Sequence, residues 1–381
     1  MEEWFVDTQE KLADLCRKLA DSDVVAIDTE FLREKTYYAQ LCLIQVATDD
    51  VIACVDPLKI SNLDPFLDLL YQSQRCKVLH SARQDLEIFF DLRGGIPKPI
   101  FDTQVAATLL GYGDQLGYAK LVKAMLGKNV DKEHARTDWS QRPLDDAQIH
   151  YAMNDVRYLI GMYRMQLQRL QERGREQWLQ EDFDKLTDIK LYEPDLEDLW
   201  RRVKGTRILK QRQLAVLQQL AVWREQRARE LNRPRKWIMS DDIIVDLARR
   251  SPSSLEALEK IRGWNSSIKK SAAEILDKIM FAKSLPEQQW PVADQLQTLT
   301  VQQDAMVDLL MSVVRVRALE NDVTPAALVT RKDLEHLVVH RDGATVLTGW
   351  RYELVGKELL QCLNGEKIIT IRNDKVVIDD V

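Results

Sequence analysis

Short apolar runs alternate with helical patterns over the first 175 residues of the chain. Five of these runs are rich in β-branched and aliphatic residues, which is typical of buried strands. They lie at residues 24–27, 41–47, 51–55, 77–80 and 99–102. Asp49 and Asp50 form the predicted turn between the second and third runs, and such a short connection predicts a hairpin. The sheet is therefore expected to be at least partly antiparallel.

Helical periodicity appears at 82–91 and again after Pro143. In the second segment apolar residues recur at spacings of three and four, which predicts one buried helical face. They are Ala152, Val156, Leu159, Tyr163, Leu167 and Leu170. Asp145 or Asp146 is the predicted N-cap of this long helix. Strands interleaved with helices predict an α/β domain, with a mixed sheet, at residues 1–175.

In the second half of the chain the periodicity is helical, and the sequence repeats itself. Residues 227–234 match residues 317–325, and Gly263-Trp264 matches Gly349-Trp350. We therefore expect two helical domains of similar fold. Their predicted ranges are 205–285 and 293–370.

The same alignment places Trp237 opposite Leu328, so Trp237 is predicted to be a core residue of the first helical domain. Residues 285–292 include two prolines and are the predicted linker between the helical domains. The last stretch, 367–381, has the alternation of a strand. Three domains in line favour a monomer.

Charge is distributed unevenly along the chain, whose formal net charge is −6. Residues 201–240 contain 12 Lys or Arg against 2 Asp or Glu, which leaves 42 against 58 for the remainder. A basic block inside an acidic chain is typical of a nucleic-acid contact. It is also compatible with a solvated helix face, and composition does not separate the two interpretations.

The five cysteines include no C-x-x-C pair, and several lie in apolar runs. We expect buried free thiols in a reducing compartment. No apolar run approaches the ~18 residues of a membrane-spanning helix, and the acidic N-terminus is unlike a signal peptide. The expected location is therefore the cytoplasm, with no membrane partner.

Candidate chemistry begins where the first predicted strand ends, at Asp28-Thr29-Glu30. Because side chains alternate along a strand, Asp28 and Glu30 point to the same face. Two carboxylates beside a buried strand are costly unless something compensates their charge. An Arg or Lys would do so in a structural role, and bound cations would do so in a functional one.

Further acidic residues follow in a defined order. Asp85 lies on the predicted helix after the fourth strand. Tyr151 and Asp155 are four residues apart on the long helix, so they project from one face. A single Tyr-x₃-Asp pair is common in helices and carries little information. The order of the three motifs, and the strands and helices that carry them, are more specific.

In this order the motifs resemble those of the DEDD exonuclease superfamily, in its Tyr-containing subclass. Residues 28–31 (DTEF), 80–85 (HSARQD) and 151–156 (YAMNDV) match its first, second and third motifs. The flanking segments 36–47 and 136–144 resemble ribonuclease D in particular. The two helical domains resemble the HRDC domain, the first more closely than the second.

The resemblance implies a ribonuclease H-like mixed sheet with flanking helices, followed by two all-α, HRDC-like domains. It implies hydrolysis of RNA from the 3′ end, with release of 5′-mononucleotides. The implied substrates are tRNA precursors and other structured small RNAs.

The resemblance also implies that Asp28, Glu30, Asp85 and Asp155 hold two Mg²⁺ or Mn²⁺ ions. The residue types suit this role, because hard cations prefer oxygen ligands. Two such ions stabilise both the attacking and the leaving oxygens of an in-line displacement. Tyr151 is then expected to orient or deprotonate the attacking water.

Several other residues are candidates for contact with RNA. Phe31 either stacks on the terminal base or is a core aromatic residue. His80 either approaches a phosphate or is a hydrogen-bonded residue at a strand end. In the basic block the predicted RNA contacts are Arg233, Arg235 and Lys236. Three more polar residues near the motifs are not placed by the sequence: Gln45, Arg83 and Gln84.

Two alternatives stay open at the level of the sequence. A DNA exonuclease uses the same carboxylates, and no motif reads a 2′-hydroxyl group. Activity on matched RNA and DNA strands discriminates these two enzymes. The other alternative is a non-catalytic nucleic-acid-binding protein, against which the complete set of four carboxylates and a tyrosine argues.

Overall fold

The computed structural model describes residues 1–130, 137–292 and 299–381. Two predicted segments extend beyond these ranges: the flank 136–144 begins at Arg136, and the second helical domain begins at residue 293, both outside the described residues. The strands of the first domain are β1 (Glu2–Val6), β2 (Val24–Leu32), β3 (Gln40–Ala47), β4 (Val51–Val55), β5 (Cys76–Leu79) and β6 (Ile100–Asp102).

These strands form a mixed sheet in the order β1-β4-β3-β2-β5-β6. Strands β2, β3 and β4 pair antiparallel, and the hairpin predicted between β3 and β4 is confirmed. The other three pairs are parallel. Strand β1 was not predicted. It is a short edge strand that begins with Glu2 and Glu3, and its position in the sheet depends on its pairing with β4.

Helices cover both faces of this sheet, as expected for a ribonuclease H-like domain. Val25 and Ile27 of β2 face one core, with apolar residues of the first three helices, and Ala26 faces the other. The helices are α1 (Gln9–Leu19), α2 (Asp64–Leu70), α3 (Arg83–Arg93), α4 (Thr103–Leu109), α5 (Tyr118–Leu126), α6 (Asp146–Arg157), α7 (Leu159–Glu172) and α8 (Glu176–Leu186).

The single long helix predicted after Pro143 is instead two helices, α6 and α7, separated at Tyr158. The Tyr118 hydroxyl donates to the Asn154 carbonyl at 2.7 Å and accepts from the Tyr158 amide at 3.3 Å. A side chain that enters the helical hydrogen-bond ladder in this way kinks a helix. The N-cap is Asp145, which forms a capping box with Gln148.

The second half of the chain is helical up to a terminal hairpin. The first helical segment contains α9 (Gln211–Glu230), α10 (Arg235–Ile238), α11 (Asp241–Arg250), α12 (Leu255–Glu259), α13 (Ser266–Lys269) and α14 (Ala272–Ser284). The second contains α15 (Val301–Glu320), α16 (Pro325–Leu328), α17 (Arg331–His340), α18 (Gly349–Arg351) and α19 (Lys357–Leu363). The hairpin is β7 (Lys367–Arg372) with β8 (Lys375–Asp380), which confirms the strand pattern of the C-terminal stretch. Single 3₁₀ turns lie at Ile189–Leu191, Leu199–Arg202, Thr206–Ile208, Glu287–Gln289 and Thr345–Leu347, and a π-helical turn at Tyr352–Gly356.

The two helical segments differ in how they attach to the first domain. The first has its own core, which also includes Leu199, Trp200 and Val203, upstream of the predicted start at residue 205. The second shares one continuous core with helices α4 to α8. Trp178 and Trp350 stack across this junction, with ring centroids 4.3 Å apart. The second segment therefore packs directly against the first domain.

None of the helices in the described ranges has both the length and the apolar character needed to cross a membrane. All five cysteines lie within these ranges, and all are free thiols. Cys42 and Cys54 are buried, and the other three are partly buried.

Candidate active site

Strand β2 carries the first two acidic residues. Asp28 pairs with Gln45 of β3, and Glu30 pairs with Leu43. A register shift follows between Glu30 and Phe31. Bulges of this kind re-aim the side chains beside them and often lie next to active sites. The predicted alternation thus places both carboxylates on the face that meets α6.

Helix α6 brings the third carboxylate to the same place. Asp28, Glu30 and Asp155 each offer an oxygen, and these atoms lie within 4.8 Å of one another. All three side chains are partly exposed. Three carboxylate oxygens that approach so closely from a strand and a helix can serve as ligands of one cation.

Asp85 lies in the first turn of α3 and is buried. The Thr29 hydroxyl donates to its Oδ1 at 2.5 Å. Asp85 is outside the group of three, yet its charge raises the pKa values of Asp28 and Glu30, so it borders the same cluster. The structure therefore gathers all four acidic residues that the motifs singled out.

Burial and mutual repulsion shift the acidity of the cluster. Burial raises the pKa of Asp28 well above its ordinary range, and Asp85, Asp155 and Glu30 raise it further. Burial, with the charges of Asp155 and Asp85, raises the pKa of Glu30 to about 8. Burial also raises the pKa of Asp155 to about 7. Without a compensating charge, the cluster holds protons at neutral pH.

The structural alternative, in which Arg or Lys neutralises the carboxylates, finds no support in the described ranges. Within residues 1–130, 137–292 and 299–381, no basic side chain forms an ion pair with these four residues. Arg33, on the loop after β2, pairs with Glu87. Arg157, one turn after Asp155, pairs with Glu3.

The residues fit bound divalent cations. The donors are carboxylate oxygens, which hard cations prefer, and their repulsion is relieved by positive charge. Gln45 gives a further indication, because its side chain is 0% exposed and neither amide atom has a hydrogen-bond partner in the described part of the chain. Gln45 lies directly opposite Asp28, so this unsatisfied amide borders the cluster.

Tyr151 lies one turn before Asp155 and forms a hydrogen bond with its carboxylate. Its ring packs near Trp139, with centroids 6.1 Å apart. Burial, with the charges of Asp155, Glu30 and Asp28, raises the pKa of the Tyr151 hydroxyl. The hydroxyl therefore stays protonated beside the cluster, and it can orient a neighbouring oxygen by hydrogen bonding.

The other motif residues lie around this centre. His80 Nδ1 is 2.9 Å from the Thr103 hydroxyl, as in the strand-end interpretation. Phe31 is partly buried, at the bulge that follows Glu30. Arg83 and Gln84 are exposed at the start of α3.

The basic block divides into paired and unpaired residues. The guanidinium of Arg235 binds Glu225, with one bond of 2.7 Å, and the Tyr37 hydroxyl at 3.1 Å. Arg233 and Lys236 are exposed, and neither forms an ion pair in the described ranges. The predicted RNA contact at Arg235 is thus already occupied within the protein.

Trp237 is not the core residue that the repeat predicted. Its side chain is 58% exposed, whereas the aligned Leu328 is 1% exposed. The helices around the two positions correspond, with α9 to α11 and α15 to α17 offset by 90 residues. This offset places Ala327, which is 6% exposed, opposite Trp237 and places Leu328 opposite Ile238, so the sequence alignment was one residue out of register here. The second segment covers the Ala327 position by packing on α4, and the first segment leaves Trp237 open.

Sequence reasoning missed the residues that join the first helical segment to the catalytic strand. The loop after β2 meets the turn between α9 and α10. Asn232 Oδ1 accepts from the backbone amides of Tyr37 and Tyr38, both at 3.1 Å. The Tyr37 hydroxyl binds Glu225, whose side chain is 1% exposed. Only the tyrosine pair itself, an aromatic doublet in a polar loop, was a signal in the sequence.

Comparison with known proteins identifies the family. A model of 3′-5′ exonuclease domains matches residues 4–171, and a model of the HRDC domain matches residues 213–279. A ribonuclease D from Gluconacetobacter diazotrophicus is 37% identical over 375 residues, with 97% of this chain and 95% of that protein covered. A ribonuclease D from Nitrobacter hamburgensis is 38% identical over 377 residues, with 98% of each chain covered. The chain belongs to the ribonuclease D family.

The fold agrees with this membership. The crystal structure of Escherichia coli RNase D, an exoribonuclease involved in structured RNA processing, matches with a TM-score of 0.82 and 30% identity. The match covers 96% of this chain and 99% of that one. As a member of the ribonuclease D family, the chain is a metal-dependent 3′-5′ exoribonuclease that acts on RNA. The family resemblance of the sequence motifs is confirmed.

Proposed function

We propose that Asp28, Glu30, Asp85 and Asp155 hold two divalent cations, Mg²⁺ or Mn²⁺, at which this exoribonuclease cleaves the terminal phosphodiester. The observation that carries this proposal is the approach of three carboxylates within 4.8 Å, with a buried fourth beside them. When bound, the cations supply Lewis acidity and stabilise the charge of the attacking and leaving oxygens.

The residues of the chain then have separate tasks. Thr29 fixes the Asp85 carboxylate by its hydrogen bond, so one oxygen of Asp85 is held in place. The Tyr151 hydroxyl is a protonated donor beside Asp155, and it orients the attacking water. Cleavage yields a 5′-mononucleotide and leaves a free 3′-hydroxyl on the shortened RNA. That end is the substrate of the next cycle.

The test is a time course with a 5′-labelled single-stranded RNA and the full chain. With Mg²⁺ or Mn²⁺ we expect a ladder that shortens from the 3′ end and accumulation of 5′-mononucleotides. EDTA is expected to stop the reaction. Equal turnover of a DNA strand of the same sequence would contradict the assignment of RNA as the preferred substrate, and release of dinucleotides would contradict the product.

We further propose tRNA precursors with extra 3′ nucleotides as substrates. The E. coli relative is an exoribonuclease involved in structured RNA processing, and the helical domains add a surface beyond the cluster. The expected result is rapid trimming of a single-stranded 3′ trailer, followed by a stop at the folded acceptor stem. Digestion through the stem at an unchanged rate would contradict a maturation role.

Three domains are proposed for the chain: an exonuclease domain at 1–175 and HRDC-like domains at 205–285 and 293–370. The repeated helices α9 to α11 and α15 to α17 support the second copy. A monomer in the cytoplasm is proposed with them, because free thiols persist in a reducing compartment. Sedimentation of the purified chain tests the monomer.

RNA is proposed to be held by Arg233 and Lys236, in the turn between α9 and α10. Each phosphate contact by a basic side chain steepens the salt dependence of single-strand binding by ~0.7. Replacing both residues by Ala is therefore expected to weaken RNA binding and flatten the slope by up to about 1.4 units. Titrations of RNA with catalytically silent Asp155→Asn protein at several salt concentrations measure the slope.

The matched control for this experiment is Lys260→Ala with Lys270→Ala. These two lysines are exposed on the same helical segment, so the same charge is removed at other positions. An equal change of slope in both double variants would mean that only net charge matters. That outcome would contradict a contact at the turn.

Stability is expected to depend on pH in the absence of divalent cations. The pKa of Glu30 is raised from 4.5 to about 8, and that of Asp155 from 3.8 to about 7. Between about pH 5 and pH 8 the folded state therefore holds protons that the unfolded state has released, and stability falls as pH rises. Thermal unfolding in EDTA measures this fall. Asp155→Asn, or saturating Mg²⁺, is expected to make it shallower, and an unfolding temperature that rises across this range would contradict the repulsion.

A further inference from the structure

The exposed side chain of Trp237 is a candidate binding surface, because a tryptophan buries more apolar area than most residues when a ligand covers it. Its side chain is 58% exposed in the short helix α10. The helical fold does not require this exposure, since Ala327, at the equivalent position of α16, is 6% exposed in the second segment. The first segment thus keeps a large aromatic side chain in solvent at a position where the second segment has a small, buried residue.

The charges around Trp237 favour an anionic partner. Lys236 precedes it in the chain and Arg233 lies one turn earlier, and both are exposed without an ion pair in the ranges that the structure describes. The two acidic residues of α9 that precede the turn are both paired: Glu225 with Arg229 and Arg235, and Glu230 with Arg227. An exposed aromatic ring beside basic side chains that lack ion pairs is the arrangement that binds single-stranded nucleic acid without sequence preference.

The same turn is fixed against the catalytic strand. Asn232, next to Arg233, accepts two backbone hydrogen bonds from Tyr37 and Tyr38, in the loop seven residues after Glu30. Arg235 binds Glu225 and the Tyr37 hydroxyl. Because Asn232 and Arg235, both just before Trp237 in the chain, are hydrogen-bonded to this loop, the turn is held at a set position relative to the catalytic strand.

We propose that Trp237, Arg233 and Lys236 form a stacking site for an unpaired base of the RNA, upstream of the nucleotide being removed. The Trp237 ring stacks on the base, and the two cations contact the flanking phosphates. This inference rests on the proposed RNA contact at the turn and adds the aromatic residue and the type of contact. An RNA that binds at this site extends its single-stranded 3′ segment to the carboxylate cluster.

The experiment compares Trp237→Ala and Trp237→Phe with the unmodified full chain. Substrates are a dinucleotide and single-stranded RNAs of increasing length, together with one RNA that carries 2-aminopurine at successive positions. Base stacking on an aromatic side chain changes affinity by about 5- to 150-fold. We expect Trp237→Ala to raise KM for the longer RNAs by a factor in this range, with kcat unchanged. Turnover of the dinucleotide is expected to be unchanged, because a dinucleotide bound at the carboxylate cluster is too short to reach Trp237.

The fluorescence of 2-aminopurine reports the contact directly. In the unmodified protein we expect quenching at one distance from the 3′ end, its loss in Trp237→Ala and its partial retention in Trp237→Phe. The matched control is Phe281→Ala, because Phe281 is 53% exposed on the same helical segment. Phe281 lies in a groove whose lining carries a net negative charge, which disfavours RNA: Glu230, Glu274 and Asp277 against Arg227 and Lys278. This control is expected to behave as the unmodified protein.

The outcomes separate this inference from the proposed function. Unchanged KM and unchanged quenching in folded Trp237→Ala would overturn the stacking site while RNA turnover persists. An equal loss in Phe281→Ala, or a fall in kcat on the dinucleotide, would also overturn it. Binding of a protein rather than RNA at Trp237 would leave all RNA measurements unchanged and has the same consequence. If the unmodified chain showed no metal-dependent turnover of RNA, that result would instead contradict the proposed function.

Discussion

Asp155→Asn is expected to lower kcat for RNA hydrolysis by about 10³-fold or more at saturating Mg²⁺. Asp155 supplies one of the three oxygens that lie within 4.8 Å of one another. The amide keeps the size and shape of the side chain but removes the negative charge that attracts a divalent cation. Stabilisation of charge by such a cation contributes several kcal/mol to the transition state, so most of the rate is lost. The measurement is release of nucleotide from a 3′-labelled RNA under single-turnover conditions.

Asp146→Asn is the matched control, because Asp146 is exposed in the first turn of the same helix. It is expected to retain normal turnover. Thermal unfolding in EDTA is expected to show that Asp155→Asn is folded and no less stable than the unmodified protein, since carboxylate repulsion is relieved. Near-normal turnover of Asp155→Asn would contradict the assignment of Asp155 as a metal ligand, independently of the result for the other three carboxylates.

The first domain was predictable from the sequence because its information is local. The alternation of apolar residues along β2 places Asp28 and Glu30 on one face, and the structure has them in one cluster. The spacing of Tyr151 and Asp155 on a capped helix fixes their common direction in the same way. Such relations depend on neighbours within one strand or one helical turn, where geometry is regular.

Features that depend on distant residues were not predictable. The break between α6 and α7 is caused by the hydroxyl of Tyr118, which lies 40 residues before Tyr158. The apolar spacing continues through the break, so it predicts one helix. Strand β1 likewise has little strand character of its own and depends on β4 for every pair.

The charge count also does not distinguish basic residues that pair within the protein from those that do not. Twelve basic residues between 201 and 240 indicated RNA contact, and Arg235 was taken as one of them. In the structure Arg235 neutralises Glu225, a buried carboxylate at the interface with the loop after β2. From the sequence, a carboxylate in the middle of a helix is expected to be exposed to solvent. Glu225 is buried only because the first helical segment packs on the loop after β2. The basic block is therefore partly structural, and its free cations are fewer than the count implies.

Tyr151→Phe is expected to lower kcat by about 10²- to 10⁴-fold with little change in RNA affinity. The substitution keeps the ring, which packs near Trp139, and removes only the hydroxyl that is hydrogen-bonded to Asp155. Burial and three neighbouring carboxylates raise the pKa of this hydroxyl, so its contribution is a hydrogen bond that orients the attacking water. Rates under single-turnover conditions, together with RNA binding in Ca²⁺, separate the two effects.

Tyr163→Phe is the control for loss of a tyrosine hydroxyl elsewhere, because Tyr163 packs on Phe101 in the core, on the next helix. Its kcat is expected to stay within a few-fold of normal. A rise in KM with unchanged kcat for Tyr151→Phe would identify Tyr151 as a clamp on the substrate rather than a residue that positions water. The pH profile gives a second criterion. If the Tyr151 hydroxyl acts only by orientation, the variant is slower at every pH by the same factor. If it acts as a base, the factor grows as pH rises, because only the deprotonated phenol then contributes to the rate.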